Sequence, residues 1–241
     1  MIKINKPDPP NVLINNKDTW TEALMDAIKI YGGYDKIPEK IKNNLIKNYK
    51  HEDIKNSLFG SSFSKCSFCE CKPENGGGNI EVEHFAPKSI YPHLTFEWEN
   101  LLPVCRKCNG AKGNLDTILN PIINPVTIDP ELIFLYEDLR IVPIKGTSHE
   151  KIAERTTNDC NLNSPRLYKA RSELLIQMIL YKDELNDNIN YLCKVNTDRK
   201  KREIINKIKN SLEKFDHIME SNNCYAGYCR WYIKELLIFF V

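Results

Sequence analysis

The chain has 241 residues, 41% of them apolar and 27% charged, with a formal net charge of +2. That length supports one sizeable domain or two small ones around a true hydrophobic core, and the near balance of charge leaves any polyanion to be held by a local patch. The amino terminus has no apolar signal core, and the terminal apolar run at residues 236–241 is far short of the roughly 20 residues a bilayer span needs, so the expectation is a cytoplasmic protein with no membrane association.

In chain order, residues 1–60 read as a helical region. Thr19 followed by Glu22 has the pattern of a capping box ahead of Trp20, Leu24, Ala27, Ile28 and Tyr31, and Gly32-Gly33 stops that helix. Pro38 suits the first turn of a second helix carrying Ile41, Leu45, Ile46 and Tyr49. Residues 61–120 change character to cysteines, glycines (Gly76-Gly77-Gly78) and short extended pieces. In residues 121–241, four prolines up to Pro143 argue against an early helix, and two strand-like pieces, residues 133–136 and 140–144, turn at Glu137-Asp138. Beyond Ser148 the helical pattern returns. Ser164-Pro165 opens a long helix, and a last one carries Tyr228, Trp231, Tyr232 and Leu236. The fold class expected is α+β, mostly α-helical, with the cysteine-rich module packed between two helical flanks as one compact unit.

Nine cysteines, an odd number in a long chain, argue for metal rather than disulfides. Cys66-x2-Cys69 and Cys105-x2-Cys108 supply four thiolates, the closed tetrahedral shell of a structural zinc. Cys71 stands two residues past the first pair, and Cys160, Cys193, Cys224 and Cys229 read as small buried hydrophobes. Between and just after the pairs lie Glu83, His84, Asn100 and Asn109: carboxylate and amide oxygens suit a hard cation, and a histidine suits general-base work near neutral pH. Glu81 reads as an outward-facing strand residue, and Asn109 as the start of a helix. His51, His93, His149 and His217 match no site pattern, and the run Arg199-Lys200-Lys201-Arg202 reads as a solvated helix face.

The succession Cys-x2-Cys, Glu-His-Phe-x-Pro-Lys-Ser, Trp-Glu-Asn-Leu, Cys-x2-Cys-Asn-x2-Lys-Gly resembles the HNH endonucleases with their ββα-metal fold. The longer strings EVEHFAPKSIYPHLTFEWENLLPVCRKCNGAKGN and AGYCRWYIKELL are similar to a narrower group, the PtuB-like HNH subunits of Septu and retron-type anti-phage systems. The resemblance implies a nuclease in which His84 activates water, Asn100 orients the histidine and braces the loop through backbone hydrogen bonds, and Glu83 with Asn109 holds catalytic Mg²⁺ or Mn²⁺. Lys112, and less strongly Lys88, would contact the phosphate backbone. Glu83 departs from the aspartate common in the family, which leaves cation preference open. The implied partners are nucleic acid, DNA favoured with RNA or tRNA open, and a PtuA-like ATPase subunit. Two alternatives stand beside it: a stand-alone restriction-type nuclease, and a catalytically dead zinc-dependent binding module.

Overall fold

A computed structural model describes residues 1–73 and 77–238, with the side chains of 237 and 238 set aside. Gly76 of the glycine run, and most of the terminal apolar run, lie outside that description.

The first helix, α1 (Asn11–Tyr31), starts earlier than the capping-box pattern suggested. Thr19 and Glu22 sit inside it, because Leu13 extends the buried stripe of Leu24 and Ala27 back toward Pro10, the residue before the helix. A capping box needs a non-helical residue at its head, and that apolar stripe keeps residues 11–18 helical. Gly32, at φ +74°, ends α1 as expected. Pro38 precedes α2 (Glu39–Ile46), and a 3-10 turn at Lys47–Lys50 leads to α3 (Glu52–Ser61), whose first turn is capped by the His51 ring accepting from Asp53 N–H at 3.2 Å.

β1 (Ile80–His84) and β2 (Leu101–Cys105) form an antiparallel pair, with Glu81 opposite Val104 and Glu83 opposite Leu102. α4 (Arg106–Lys112) follows β2 directly, completing a ββα unit. A second hairpin, β3 (Phe134–Glu137) and β4 (Arg140–Pro143), turns through Asp138 at φ +52°. The remainder is helical: α5 (Glu150–Asp159), α6 (Pro165–Leu192), α7 (Asp198–Met219) and α8 (Ala226–Ile238), with α6 and α7 packed along each other. The architecture is the expected one, mostly helical and built around a small two-stranded module.

Period-two alternation divides that module between two cores. Val82 and Leu101 face one cluster with Leu24, Ile54, Leu58 and Phe96 from the N-terminal side. Leu102 and Val104 face the other, which holds the four paired cysteines together with Phe68, Ile123, Leu167 and Tyr228. The strip on α8 belongs to that second core: Tyr228 is buried, Trp231, Tyr232 and Leu236 pack against it, and Tyr136 meets Tyr228 and Trp231 at ring distances of 5.0 and 5.8 Å. Cys160 and Cys229 are buried as expected, whereas Cys193 is exposed near the tip of the α6–α7 hairpin, where no core reaches it.

Candidate active site and metal centre

The sulfurs of Cys66, Cys69, Cys105 and Cys108 all lie within 4.8 Å of one another, and all four residues are buried. Cys69 and Cys105 are 3.7 Å apart, close to the roughly 3.8 Å edge of a tetrahedron with Zn–S bonds of about 2.3 Å. Local backbone prepares the donors. Glu70 takes a left-handed conformation (φ +61°), so its N–H meets Cys66 O at 2.9 Å while Cys66 N–H meets Cys71 O at 2.9 Å. Cys105 caps α4 through an N–H···S contact of 3.5 Å from Cys108. These donors fit a closed structural ion.

Three further residues surround this cluster, and of these Arg166 is brought there only by the folded chain. Arg166, on α6, donates to Cys69 Sγ at 3.7 Å; with four thiolates round one divalent ion, a nearby guanidinium offsets the excess negative charge. Glu70, buried beside the sulfurs, pairs with Lys65 at 3.5 Å and the Met1 amino group at 2.6 Å, and accepts from Gly227 N–H at 3.2 Å, which ties α8 to the knuckle. Cys71 is buried with its sulfur 3.2 Å from that of Cys69, outside the quartet. Gly77 closes over it: a Cβ there would collide with Cys71 Sγ.

Three of the four catalytic candidates border one open cleft of about 980 Å³ that follows the free edge of β1, whereas Asn100 and Lys112 are not among its lining residues. Glu81, Glu83, His84, Lys88 and Asn109 line it. Side chains of Glu83 and His84 leave the strand on opposite faces, and the cleft receives both because β1 carries a partner strand on one side alone among the described residues.

His84 is 2% exposed. Its Nε2 lies 3.0 Å from Thr95 O, its ring meets Tyr49 edge-on at 4.6 Å, and its buried Nδ1 has no hydrogen-bond partner. Burial, followed by the nearby Lys88 ammonium, pulls its pKa down to about 3, so the ring is neutral. Among the described residues no hydrogen bond joins Asn100 to His84, so the asparagine does not orient the ring directly. Its Oδ1 accepts from Ala86 N–H at 2.7 Å and its Nδ2 donates to Ala86 O and Leu94 O at 3.0 Å each, pinning the loop whose Thr95 carbonyl holds the histidine.

Asn109 is the fourth residue of α4 rather than its start, since Cys105 already caps the helix. There it lies one turn before Lys112, and the two reach the two carboxylates of β1. Asn109 Nδ2 donates to Glu81 Oε2 at 2.7 Å, and Lys112 Nζ donates to Glu83 Oε1 at 2.9 Å and to His84 O at 3.0 Å. Lys112 therefore points inward, with no side-chain exposure, instead of toward a bound phosphate. Gly113 takes φ +52° to end this short helix.

Lys88 does line the cleft, 5.5 Å from the Tyr49 ring. Residues with no motif signal join it: Lys50, 5.3 Å from the same ring, with Lys55 and Arg106. His93 is not among the lining residues.

The HNH endonuclease family model matches residues 66–115, from the first zinc-knuckle cysteine to just beyond α4. The chain is 38% identical over 131 residues to the Septu protein PtuB of Bacillus thuringiensis, a match covering 54% of this chain and 44% of that one. A second Septu protein PtuB, from Bacillus mycoides (strain KBAB4), is 26% identical over 265 aligned positions, covering 92% of this chain and 85% of the relative. Protein ea31 of Escherichia phage lambda is 32% identical over 120 residues, 47% of this chain and 39% of its own. The matched stretch thus spans less than half the length of the first of these relatives. Residues 66–115 thus match the HNH endonuclease family, and the chain around them is similar to the Septu protein PtuB.

Proposed function

We propose that the chain is a metal-dependent endonuclease that hydrolyses nucleic-acid phosphodiesters, with DNA the favoured substrate, as the effector of an anti-phage complex with an ATPase partner. One observation carries this reading: a neutral, buried His84, whose Nδ1 has no hydrogen-bond partner, lines the same cleft as Glu83 and Asn109.

A carbonyl oxygen can only accept, so the contact with Thr95 puts the ring proton on Nε2 and the lone pair on Nδ1. Nδ1 then takes a proton from water as the water oxygen attacks phosphorus; the P–O3′ bond breaks and the departing 3′ oxygen takes a proton from solvent water, leaving 5′-phosphate and 3′-hydroxyl ends. Glu83 and Asn109 offer oxygen donors of the kind Mg²⁺ or Mn²⁺ prefers. When bound there, the cation supplies positive charge against the scissile phosphate and the departing oxygen. Lys112 fixes Glu83 by holding one of its oxygens, and the Glu83 arm, longer than an aspartate, is thereby kept from wandering. Lys50 and Lys88 supply cationic contacts to the backbone of the substrate. The four cysteines hold structural Zn²⁺, which fixes both ends of the segment that carries the site. The likeness to the Septu protein PtuB supports the defence role and a partner within a Septu complex.

The test is cleavage of supercoiled DNA and of total tRNA by the purified chain, with and without the proposed ATPase partner, in Mg²⁺ or Mn²⁺. Wild type is compared with His84→Ala at matched zinc content. Cutting that disappears in the variant supports the reading and identifies the nucleic acid. A variant that cuts as well as wild type overturns it, and a chain that cuts nothing in either setting favours a zinc-held binding module.

A further inference from the structure

We infer that Glu81 is a positioning residue that turns the Asn109 carboxamide so that its oxygen, not its nitrogen, serves the cation site. The inference rests on the reading of that site given above and assigns a role to a residue which the sequence pattern left as an ordinary strand position.

A carboxamide is nearly symmetric in shape, and rotating it by half a turn exchanges an acceptor for a donor. As a cation ligand Asn109 works in one of the two orientations alone, because the flipped form would aim N–H groups at a positive charge. Something must choose between them. Glu81 Oε2 lies 2.7 Å from the Asn109 side-chain nitrogen. An ionised carboxylate can only accept, so the NH₂ group is the one that faces Glu81, and the contact is of the strong, charge-assisted type. The amide oxygen is directed away from it, and no protein hydrogen bond to that oxygen is seen among the described residues. Both residues line the cleft.

The arrangement follows from two periodicities. Glu81 and Glu83 share a face of β1 by alternation, and Asn109 and Lys112 share a face of α4 by their spacing of three. The result is two adjacent cross-links, Glu81 to Asn109 and Glu83 to Lys112. Each holds one proposed ligand through an atom that leaves another oxygen for the cation. Partners of this kind behind metal ligands typically change affinity 10- to 100-fold when replaced.

The experiment measures Mn²⁺ binding to the zinc-loaded protein by electron paramagnetic resonance, beside the cation dependence of cleavage. In Glu81→Gln the partner can donate as well as accept, so Asn109 loses its preferred orientation. Mn²⁺ affinity is expected to fall about 10-fold. The cation concentration for half-maximal cleavage rises by a similar factor, while kcat at saturating cation, zinc content and melting temperature stay near wild type. The control is the same change in an N109D background, where either carboxylate oxygen can serve and no orientation is needed. There E81Q should cost nothing, and should help by removing repulsion between two acids. Loss of the same size in both backgrounds would mean Glu81 acts through its charge or as a direct ligand, and overturns the inference. So does E81Q binding Mn²⁺ as tightly as wild type. A wild type that binds no Mn²⁺ and cuts without added cation sinks the site assignment as well, a result distinct from either.

Discussion

The Nε2 of His84 lies 3.0 Å from the backbone oxygen of Thr95, and that contact determines which ring nitrogen can accept a proton. The histidine comes from β1, whereas the carbonyl comes from a loop pinned by Asn100. Histidine and asparagine are therefore linked through a peptide group rather than directly to each other.

The first prediction concerns pH. With His84 held down to about 3 by burial and then by Lys88, the acid limb it contributes to kcat/KM falls well below the ordinary histidine value of about 6.5. A cation at Glu83 pushes in the same direction. The sign for stability follows from the same shift. The unfolded chain takes up the proton first as pH drops below about 6.5, so the contribution is intact above that value and is lost progressively toward about 3. His84→Gln should flatten the fall in stability between those limits. Equal slopes for the two proteins in acid would refute the assignment.

Asn100 should behave as a structural keystone of the loop. Asn100→Ala removes three hydrogen bonds and strands the Ala86 N–H in a buried position, a loss on the order of 3 kcal/mol. Hydrogen exchange across residues 85–96 should accelerate together with the loss of cleavage. An alanine variant within about 0.5 kcal/mol of wild type in urea would show that the loop holds without it.

Lysines near the site should separate into two kinds. Lys112→Met leaves Glu83 without its buried counter-charge, which costs about 3 kcal/mol or more of folding stability, yet it should leave the salt dependence of nucleic-acid binding unchanged. Lys50→Ala and Lys88→Ala should do the reverse. Each should keep the melting temperature and lower the slope of log K against log salt by roughly 0.7–0.9. A reduced salt slope in the Lys112 variant would place its ammonium at the phosphate after all.

Removing zinc should unfold the module, since binding of a four-thiolate ion contributes on the order of 10 kcal/mol in small metallo-domains. Arg166→Ala should weaken zinc retention about 10-fold in a chelator competition, because its guanidinium sits 3.7 Å from Cys69 Sγ. Gly77→Ala should also loosen the site, as its methyl group would collide with Cys71 Sγ. Unchanged zinc retention in both variants would mean the four sulfurs hold the ion without outside support.

The parts of this protein that could be read from sequence are those set by short-range geometry. A Cys-x2-Cys pair places two sulfurs together within one turn of chain, so the quartet was legible once two such pairs were found. The two hairpin strands followed from strand-like pieces and turn residues over a few positions, whereas the ββα order came from the resemblance of the motifs to the HNH endonucleases. Where two local signals competed, the reading slipped. The capping-box pattern at Thr19 is present, but Leu13 faces the core one stripe earlier and keeps the helix going.

What only the tertiary structure decided is which distant groups share a space with the motif. Lys112 has a motif position that suits a phosphate, and it is turned inward because Glu83 lies across from it when α4 packs on β1. Glu81 acquires Asn109 by the same packing, Arg166 reaches Cys69 from 97 positions away, and Tyr49 and Lys50 arrive at His84 from outside the 66–115 domain. The sequence by itself determined the donor atoms and their local spacing, because covalent geometry carries that information over a few residues. Charge pairing, burial and the choice of ring nitrogen depend on which surfaces meet, and those are chosen by the packing of two hydrophobic cores on opposite faces of one small sheet.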